Sequence, residues 1–247
     1  MSDSAGVPWA GRHFEPPAST DDGAAPARLI EAIRRFRSHE LGEVEVLDAL
    51  RESRLLIPLV SRLGEASLNN RGVLVDKTQE LSIVTVTGPD GRTVLPVFSS
   101  VDTMRHWDPQ ARPIPADAVR IAVAAASEQT DLVILDPTSW TEFVIRRPAL
   151  LALAGHERWT PSYLDARVLD AFMATVEPEP VVVAVQLAPG DPDARLAGPE
   201  LVVQLSLLDG LDRDELEAVV SRLRARWAAS EVIAERVDSL RVQLASA

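Results

Sequence analysis

A β-hairpin is the clearest local signal in the chain, and it places antiparallel strands in the first half of the fold. The segment LSIVTVTGPDGRTVLPVF has two alternating apolar runs on either side of Gly88-Pro89-Asp90-Gly91. Proline presets the backbone of one turn position and glycine accepts a positive φ, so these four residues predict a tight turn. Because the turn accounts for both glycines, they do not indicate a phosphate-binding loop.

Apolar periodicity along the rest of the chain predicts an α+β fold made of two small mixed-sheet lobes. Each lobe has the order helix, strand, strand, helix, strand in outline, which suggests a duplication, although no residue-level repeat accompanies it. Residues 1–26 are rich in Pro, Gly, Ala, Ser and Asp, a composition that predicts a disordered leader. The composition changes again at AGHERWTPS, so we assign the first domain to residues 27–156 and the second to residues 157–247.

Local patterns also predict positions within the sheets and helices. Pro58 inside RLLIPLVSR favours an edge strand or a bulge, whereas the uninterrupted apolar runs DLVILDP and VVVAVQL are typical of central strands. The Ala-rich helix that follows ARPIP is expected to bury Val119, Val123 and Ala126. A helix in the second domain is expected to bury an apolar stripe that includes Met173.

Composition excludes several classes of site and partner. The chain has no cysteine, so it has no disulfide, thiolate metal site, iron–sulfur cluster or cysteine nucleophile. Its net charge of −12 argues against nucleic acid and anionic membranes as partners, because both attract basic surfaces. No apolar run reaches the roughly eighteen residues of a membrane span, and the N-terminus lacks the basic start and apolar core of a secretory signal. We therefore expect a cytoplasmic protein.

Catalytic and metal-binding motifs are missing from the sequence. It contains no glycine-rich phosphate loop, no G-x-S-x-G elbow and no H-E-x-x-H pair. The four histidines are scattered, and no two have the spacing of helical metal ligands: His13, His39, His106 and His156. Two acidic pairs have a spacing that suits a divalent ion, but loop and helix-capping chemistry accounts for both: Asp191 with Asp193, and Asp212 with Asp214. We therefore expect no catalytic residue, no metal and no cofactor, and hence a protein that is not an enzyme.

The triplet His106-Trp107-Asp108 has two interpretations. As a site, it is an imidazole oriented by a carboxylate beside a stacking ring. Neighbouring residues on a helix point about 100° apart, however, so His106 and Asp108 do not meet while the helix continues. Asp108 also precedes Pro109, which favours an extended backbone and ends the helix. The sequence therefore favours an architectural role, with Trp107 as an anchor in the core.

Two adjacent arginines form the best local site for an anion. Arg146-Arg147 ends a predicted strand directly before Pro148, which is expected at the first position of a helix. Guanidinium groups beside a helix N-terminus can bind a carboxylate or a phosphate, and Arg112 is a third possible donor. The alternative is that these arginines pair with acids such as Asp136 or Glu142 on an acidic surface.

The segments LPVFSSVDTMRHWDPQARPIPADAVRIAVAAASEQTDLVILDP and FVIRRPALLALA resemble the N-terminal domain of the SseB family, bacterial proteins named after enhanced serine sensitivity, in its actinobacterial form. The matching features are a strand ending in 95–98, Trp107, Pro109, the bend at 111–113 that includes Pro113, Asp136-Pro137, and Arg147-Pro148. The resemblance extends over residues 55–154, and the order of elements after Pro161 is similar to the C-terminal domain of the family. It implies a fold and structural roles for these residues, but it carries no activity, cofactor or catalytic residue.

The sequence leaves two functional hypotheses. The first is a non-enzymatic protein-interaction or regulatory module, in an unknown process and with an unknown protein partner. The alternative is a cytoplasmic sensor that binds a small anionic ligand through Arg112, Arg146 or Arg147. A deep cleft with converging arginine and histidine side chains favours the sensor, whereas an exposed apolar patch favours the interaction module.

Overall fold

The computed structural model describes residues 22–62, 67–68, 74–75 and 80–246, and it has the α+β architecture that the sequence predicts. Residues 1–21 of the predicted leader lie outside the described residues. The end of that leader contacts the first half of the fold, because the Gly23 carbonyl accepts a hydrogen bond from the Val101 amide at 2.9 Å. No helix in the described ranges has both the length and the apolar character that crossing a membrane requires.

Helices and strands alternate along the chain. The helices are α1 Ala27–Arg37, α2 Glu43–Arg51, α3 Val101–Trp107, α4 Ala118–Ser127, α5 Arg147–Ala154, α6 Ala166–Val176, α7 Arg213–Ala228 and α8 Glu231–Arg236. The strands are β1 Leu55–Arg62, β2 Ser67–Leu68, β3 Leu74–Val75, β4 Glu80–Ile83, β5 Val86–Thr87, β6 Thr93–Val97, β7 Arg112–Ala116, β8 Val133–Leu135, β9 Phe143–Ile145, β10 Val182–Pro189, β11 Leu201–Leu207 and β12 Leu240–Ser246.

The first half of the fold contains two main sheets. One has the strand order β4-β1-β7, and the other has the order β5-β6-β8-β9. The predicted hairpin is confirmed, with β5 and β6 antiparallel, Val86 opposite Val94 and a φ of 83° at Gly91. Strands β6 and β8 are parallel, and an isolated bridge between Leu56 and Phe98 joins the two sheets. The first half thus combines local pairs with pairs between distant segments.

Pro58 lies in the middle strand of its sheet, so the expected edge position is wrong. It lies opposite Pro113 in the β1–β7 pair. The pairing of β1 with β4 begins only at Leu59, so the missing N–H of Pro58 leaves no bond to β4 unmade. A short central strand can therefore carry a proline where one neighbour has already ended.

The second half of the fold is a three-stranded sheet covered by helices. Strand β10 is antiparallel to β11, and β11 is parallel to β12, in the order β10-β11-β12. The core side of this sheet packs with α6 and α7 through Phe172 and Leu223, which are both fully buried. VVVAVQL was expected to be a central strand, and this prediction is wrong because β10 lies at the edge.

The buried face of α4 is another correction. Val119 is partly buried and Val123 is 58% exposed, whereas Ile121, Ala124 and Ala125 are buried. Nearly every residue of this helix is Ala, Val or Ile. Apolar periodicity therefore does not identify which of its two faces is buried. Packing against α5 and β7 decides which face is turned inward.

The end of α3 and the turn after it place the three side chains of the triplet in different surroundings. The Trp107 ring packs against Phe98 with centroids 5.3 Å apart and is partly buried. His106 is exposed, and its Nδ1 lies 2.8 Å from the Asp102 carbonyl of the same helix. Asp108 is extended and accepts a hydrogen bond from the Gln110 amide at 2.8 Å, which shapes the turn around Pro109.

Substituting the two ring-bearing residues of this triplet should separate packing from chemistry. Trp107→Ala is expected to lower the free energy of unfolding by about 2–3 kcal/mol, less than the ~3–5 kcal/mol of a fully buried aromatic side chain. His106→Ala should change it by less than about 0.5 kcal/mol, because the ring is exposed. Urea denaturation followed by circular dichroism measures both changes. Equal and large losses for the two variants would contradict this assignment.

Candidate functional site

Arg146 lies at the end of β9, and its guanidinium is buried between the two halves of the chain. Only 7% of the residue is exposed. Its Nη2 donates to Asp191 at 2.7 Å, and its Nη1 donates to Asp238 at 3.0 Å. Arg92 of the hairpin also donates to both carboxylate oxygens of Asp238, each at 3.0 Å. We call Arg92, Arg146, Asp191 and Asp238 the junction cluster.

Asp191 is held in place by the loop that connects β10 with β11. Its carboxylate accepts backbone N–H groups of Arg195, Leu196 and Ala197 at 2.8–3.2 Å. The same loop covers the edge of β9, where the Val144 amide donates to the Ala194 carbonyl at 2.8 Å. The second half therefore places a carboxylate, held by backbone N–H groups, beside a strand end of the first half.

The other two arginines of the predicted anion site do not join Arg146. Arg147 donates to the backbone carbonyls of Ala234 and Val237 at the end of α8, where the helix dipole is negative. Arg112 is exposed on β7, in a sheet that does not contain Arg146. The sensor hypothesis remains a prediction, and a ligand at Arg146-Arg147 has to displace these intramolecular partners.

The sequence suggests that the strand-end arginines pair with acids such as Asp136 or Glu142. Arg146 does pair with acids, but these are Asp191 and Asp238. Asp136 is fully buried and accepts hydrogen bonds from the Ser99 amide, the Ser99 hydroxyl and the Thr141 hydroxyl at 2.6–2.8 Å. It ties the end of β8 to the end of β6. The helix that follows Arg146 begins at Arg147, so Pro148 is its second residue rather than its first.

A second group of carboxyls lies next to the junction cluster, and sequence reasoning missed it. Tyr163 donates a hydrogen bond to Glu43 at 3.2 Å, and Glu200 accepts one from the Asp238 amide at 2.6 Å. Burial raises the pKa of Glu43 to about 7, although the bond from Tyr163 acts in the opposite direction. Burial likewise raises the pKa of Glu200. Glu43 sits in LGEVEVL, a pattern that gives no sign of burial.

Asp238 behaves differently from these two glutamates. Burial opposes its ionised form, but the hydrogen bonds from Arg92 and the nearby Arg146 hold its pKa below its ordinary value. Asp212, one of the acids considered as a metal ligand, caps α7 by accepting the Glu215 amide at 2.9 Å. Within the described part of the chain, no group of three metal-ligating side chains comes together. Hydrogen bonds at the junction connect Arg146 of the first half with Asp191 and Asp238 of the second.

The second half contains a groove of about 440 Å³ between α6 and β10, which we call the α6–β10 groove. Met173 and Val183 line it and are 48% and 56% exposed. The expected burial of Met173 is therefore wrong. Leu169, one turn before Met173 on α6, is also exposed.

The comparisons with known proteins identify the first half of the chain. Residues 28–152, about half of its length, match the family model described as SseB protein N-terminal domain.

The chain belongs to the SseB family.

No curated protein matches this chain, and no solved structure matches it. The family match ends within α5. The SseB region therefore contains α1 to α4, both sheets of the first half and Arg146, whereas Asp191 and Asp238 lie outside it. The α6–β10 groove also lies outside the matched region.

Proposed function

We propose that this SseB-family chain is a non-enzymatic protein that works by binding another protein through the α6–β10 groove. The observation that carries the proposal is an apolar groove directly beside an edge of β10 with which none of the described strands pairs. Soluble proteins rarely leave large apolar side chains and an open strand edge side by side, because such an edge is a template for pairing. A partner segment buries both at once.

The apolar surface is favoured over the arginine site on physical grounds. The guanidiniums of Arg146 and Arg147 already have protein acceptors, so binding an anion there first costs those hydrogen bonds. Met173 and Val183 lose only contact with water when a partner covers them. The net charge of −12 supports a protein partner over nucleic acid or an anionic membrane.

The finer assignments belong to the same proposal. We place the protein in the cytoplasm and in the actinobacterial branch of the family, and we assign residues 157–247 to an SseB-like C-terminal domain. The order of helices and strands after Pro161 supports that domain assignment. The biological process and the identity of the partner are open to experiment.

Exchanging one exposed apolar residue for a charge tests the groove. Met173→Glu is expected to reduce the capture of native partners from a lysate by at least tenfold, because a charge in an apolar interface loses its hydration without gaining a partner. Val123→Glu is the matched control, since Val123 is 58% exposed on α4, away from the groove. Quantitative mass spectrometry of tagged full-length protein measures both. Capture that survives Met173→Glu and fails with Val123→Glu would place the binding surface on α4 instead.

A further inference from the structure

The carboxyl end of α6 gives the groove a local negative charge. Glu177 follows directly after the last residue of α6 and lines the groove. Within the residues that the structure describes, no cation pairs with its carboxylate. The nearby Glu179 differs, because Arg222 and Arg226 approach it at 2.7 and 2.9 Å. Arg226 also donates to the Thr175 carbonyl in the last turn of α6 at 2.9 Å, so the helix end already has a cation. Among the described residues of the groove lining, the exposed carboxylate of Glu177 is the unpaired charge, and it attracts a cation.

The other wall of the groove is a strand edge without charge. β10 reads VVAVQLAP from Val182 to Pro189, and none of the described strands pairs with its outer edge. A bulge at Val183 pushes that side chain outward, and the ladder to β11 is regular from Ala184 to Pro189. Pro189 ends the edge because it has no N–H to donate. The groove borders β10 from Val182 to Val185, so a strand added along the regular stretch from 184 to 188 enters the groove at Ala184 and Val185.

The spacing along α6 matches the spacing along an added strand. Met173 and Glu177 are four residues apart, a rise of about 6 Å in an α-helix. Side chains on one face of a strand are two residues apart, or about 6.6 Å. An extended segment laid along the groove can thus place one side chain against Met173 and the next on that face beside Glu177.

We propose that the α6–β10 groove binds an extended segment of a partner protein, which adds to β10 as a strand; this rests on the proposed function. The segment carries an apolar residue and, two positions away, an arginine or lysine. The apolar side chain packs against Met173 and Val183, and the cation meets Glu177 at the end of α6. Backbone hydrogen bonds to β10 supply affinity, and the two side chains supply specificity.

A second copy of this chain suits the groove less well. Each chain carries a net charge of −12, so two copies joined edge to edge at β10 repel each other. Like charges that face each other in an interface oppose association. Self-association through β10 is therefore an outcome that the experiment has to exclude.

The test uses the full-length protein and two fluorescein-labelled six-residue peptides. Both carry valine at the third position, and the fifth position is arginine in one and glutamate in the other. Fluorescence polarisation is expected to give at least tenfold tighter binding of the arginine peptide. Glu177→Lys should reverse that preference. Glu128→Lys is the matched control, because Glu128 follows the last residue of α4 in the same way, and it should leave the preference intact.

Methylating the backbone nitrogens of the arginine peptide should abolish its binding, since a strand added to β10 needs its N–H groups. Equal binding of the two peptides, or a preference that survives Glu177→Lys, overturns the inference about charge. If Met173→Glu still reduces the capture of native partners in that case, the proposed function stands without it. If neither peptide binds and capture ignores Met173→Glu, both proposals fail. A dimer in sedimentation that Met173→Glu dissociates overturns the inference in favour of a second copy.

Discussion

Replacing Arg146 with methionine is expected to lower the free energy of unfolding by about 3–5 kcal/mol at pH 7. The substitution keeps much of the side-chain volume but leaves Asp191 and Asp238 buried with one guanidinium fewer, and an unpaired buried charge carries that cost. Chemical denaturation of the full-length protein measures the change. Arg112→Met removes an exposed arginine and should change the free energy of unfolding by less than about 0.5 kcal/mol.

The Arg146 result also tests what joins the two halves of the chain. Arg146→Lys should recover only part of the loss, because one ammonium cannot make the two-sided contact of a guanidinium with Asp191 and Asp238. Limited proteolysis should then cut the connector between α5 and α6 faster in Arg146→Met than in the native protein. If Arg146→Met unfolds at the same denaturant concentration as the native protein, the junction cluster contributes nothing to stability.

Glu43→Gln is expected to stabilise the protein at pH 8 by about 2 kcal/mol and to leave it unchanged near pH 4.5. In the folded protein the pKa of Glu43 is about 7, against an ordinary value of 4.5. Between pH 4.5 and pH 7 the folded state therefore binds a proton that the unfolded state has already lost. The stabilising effect of that proton is complete below pH 4.5 and is lost as the pH rises through 7. Each pKa unit corresponds to about 1.4 kcal/mol of free energy. Because Glu43 is partly exposed, the expected change in the free energy of unfolding is smaller than the full pKa difference would give.

The groups around Glu43 agree with an upward shift of its pKa. Tyr163 contacts it directly, and the charges that act on it come from Glu200 and Asp191, which oppose ionisation, and from Arg146, which favours it. Glutamine keeps an oxygen for the Tyr163 hydroxyl and never ionises. Asp48→Asn removes an exposed carboxylate from the same helix and serves as the control. Thermal denaturation between pH 4.5 and 8.5 measures the difference, and a difference that does not grow with pH would contradict the assignment.

The two proposals about binding are independent of these stability predictions. The junction cluster involves Arg146, Asp191 and Asp238, whereas the α6–β10 groove involves Met173, Val183 and Glu177. A failure of either stability prediction therefore leaves the groove untouched. Met173→Glu places its charge at a residue that is half exposed in the free protein, so it should leave the folded state near its native stability.

Features set by neighbouring residues could be predicted from the sequence alone. The hairpin at 88–91 follows from proline and glycine in adjacent turn positions, and the end of α3 at Trp107 follows from the residue pair Asp108-Pro109. The α+β class follows from the alternation of the two periodicities along the chain. Each of these depends on contacts within a few residues, so a short stretch of sequence contains all the information.

Tertiary structure decided which surfaces meet. The sequence could not indicate that β10 lies at a sheet edge, because a central and an edge strand can share the same apolar run and differ only in whether a neighbour arrives. It could not indicate that α4 packs with Ile121 toward the core, because both faces of that helix are apolar. The acids that neutralise Arg146 lie 45 and 92 residues further along the chain. Partner choice at such separations depends on the packing of whole elements, and local composition contains no record of it.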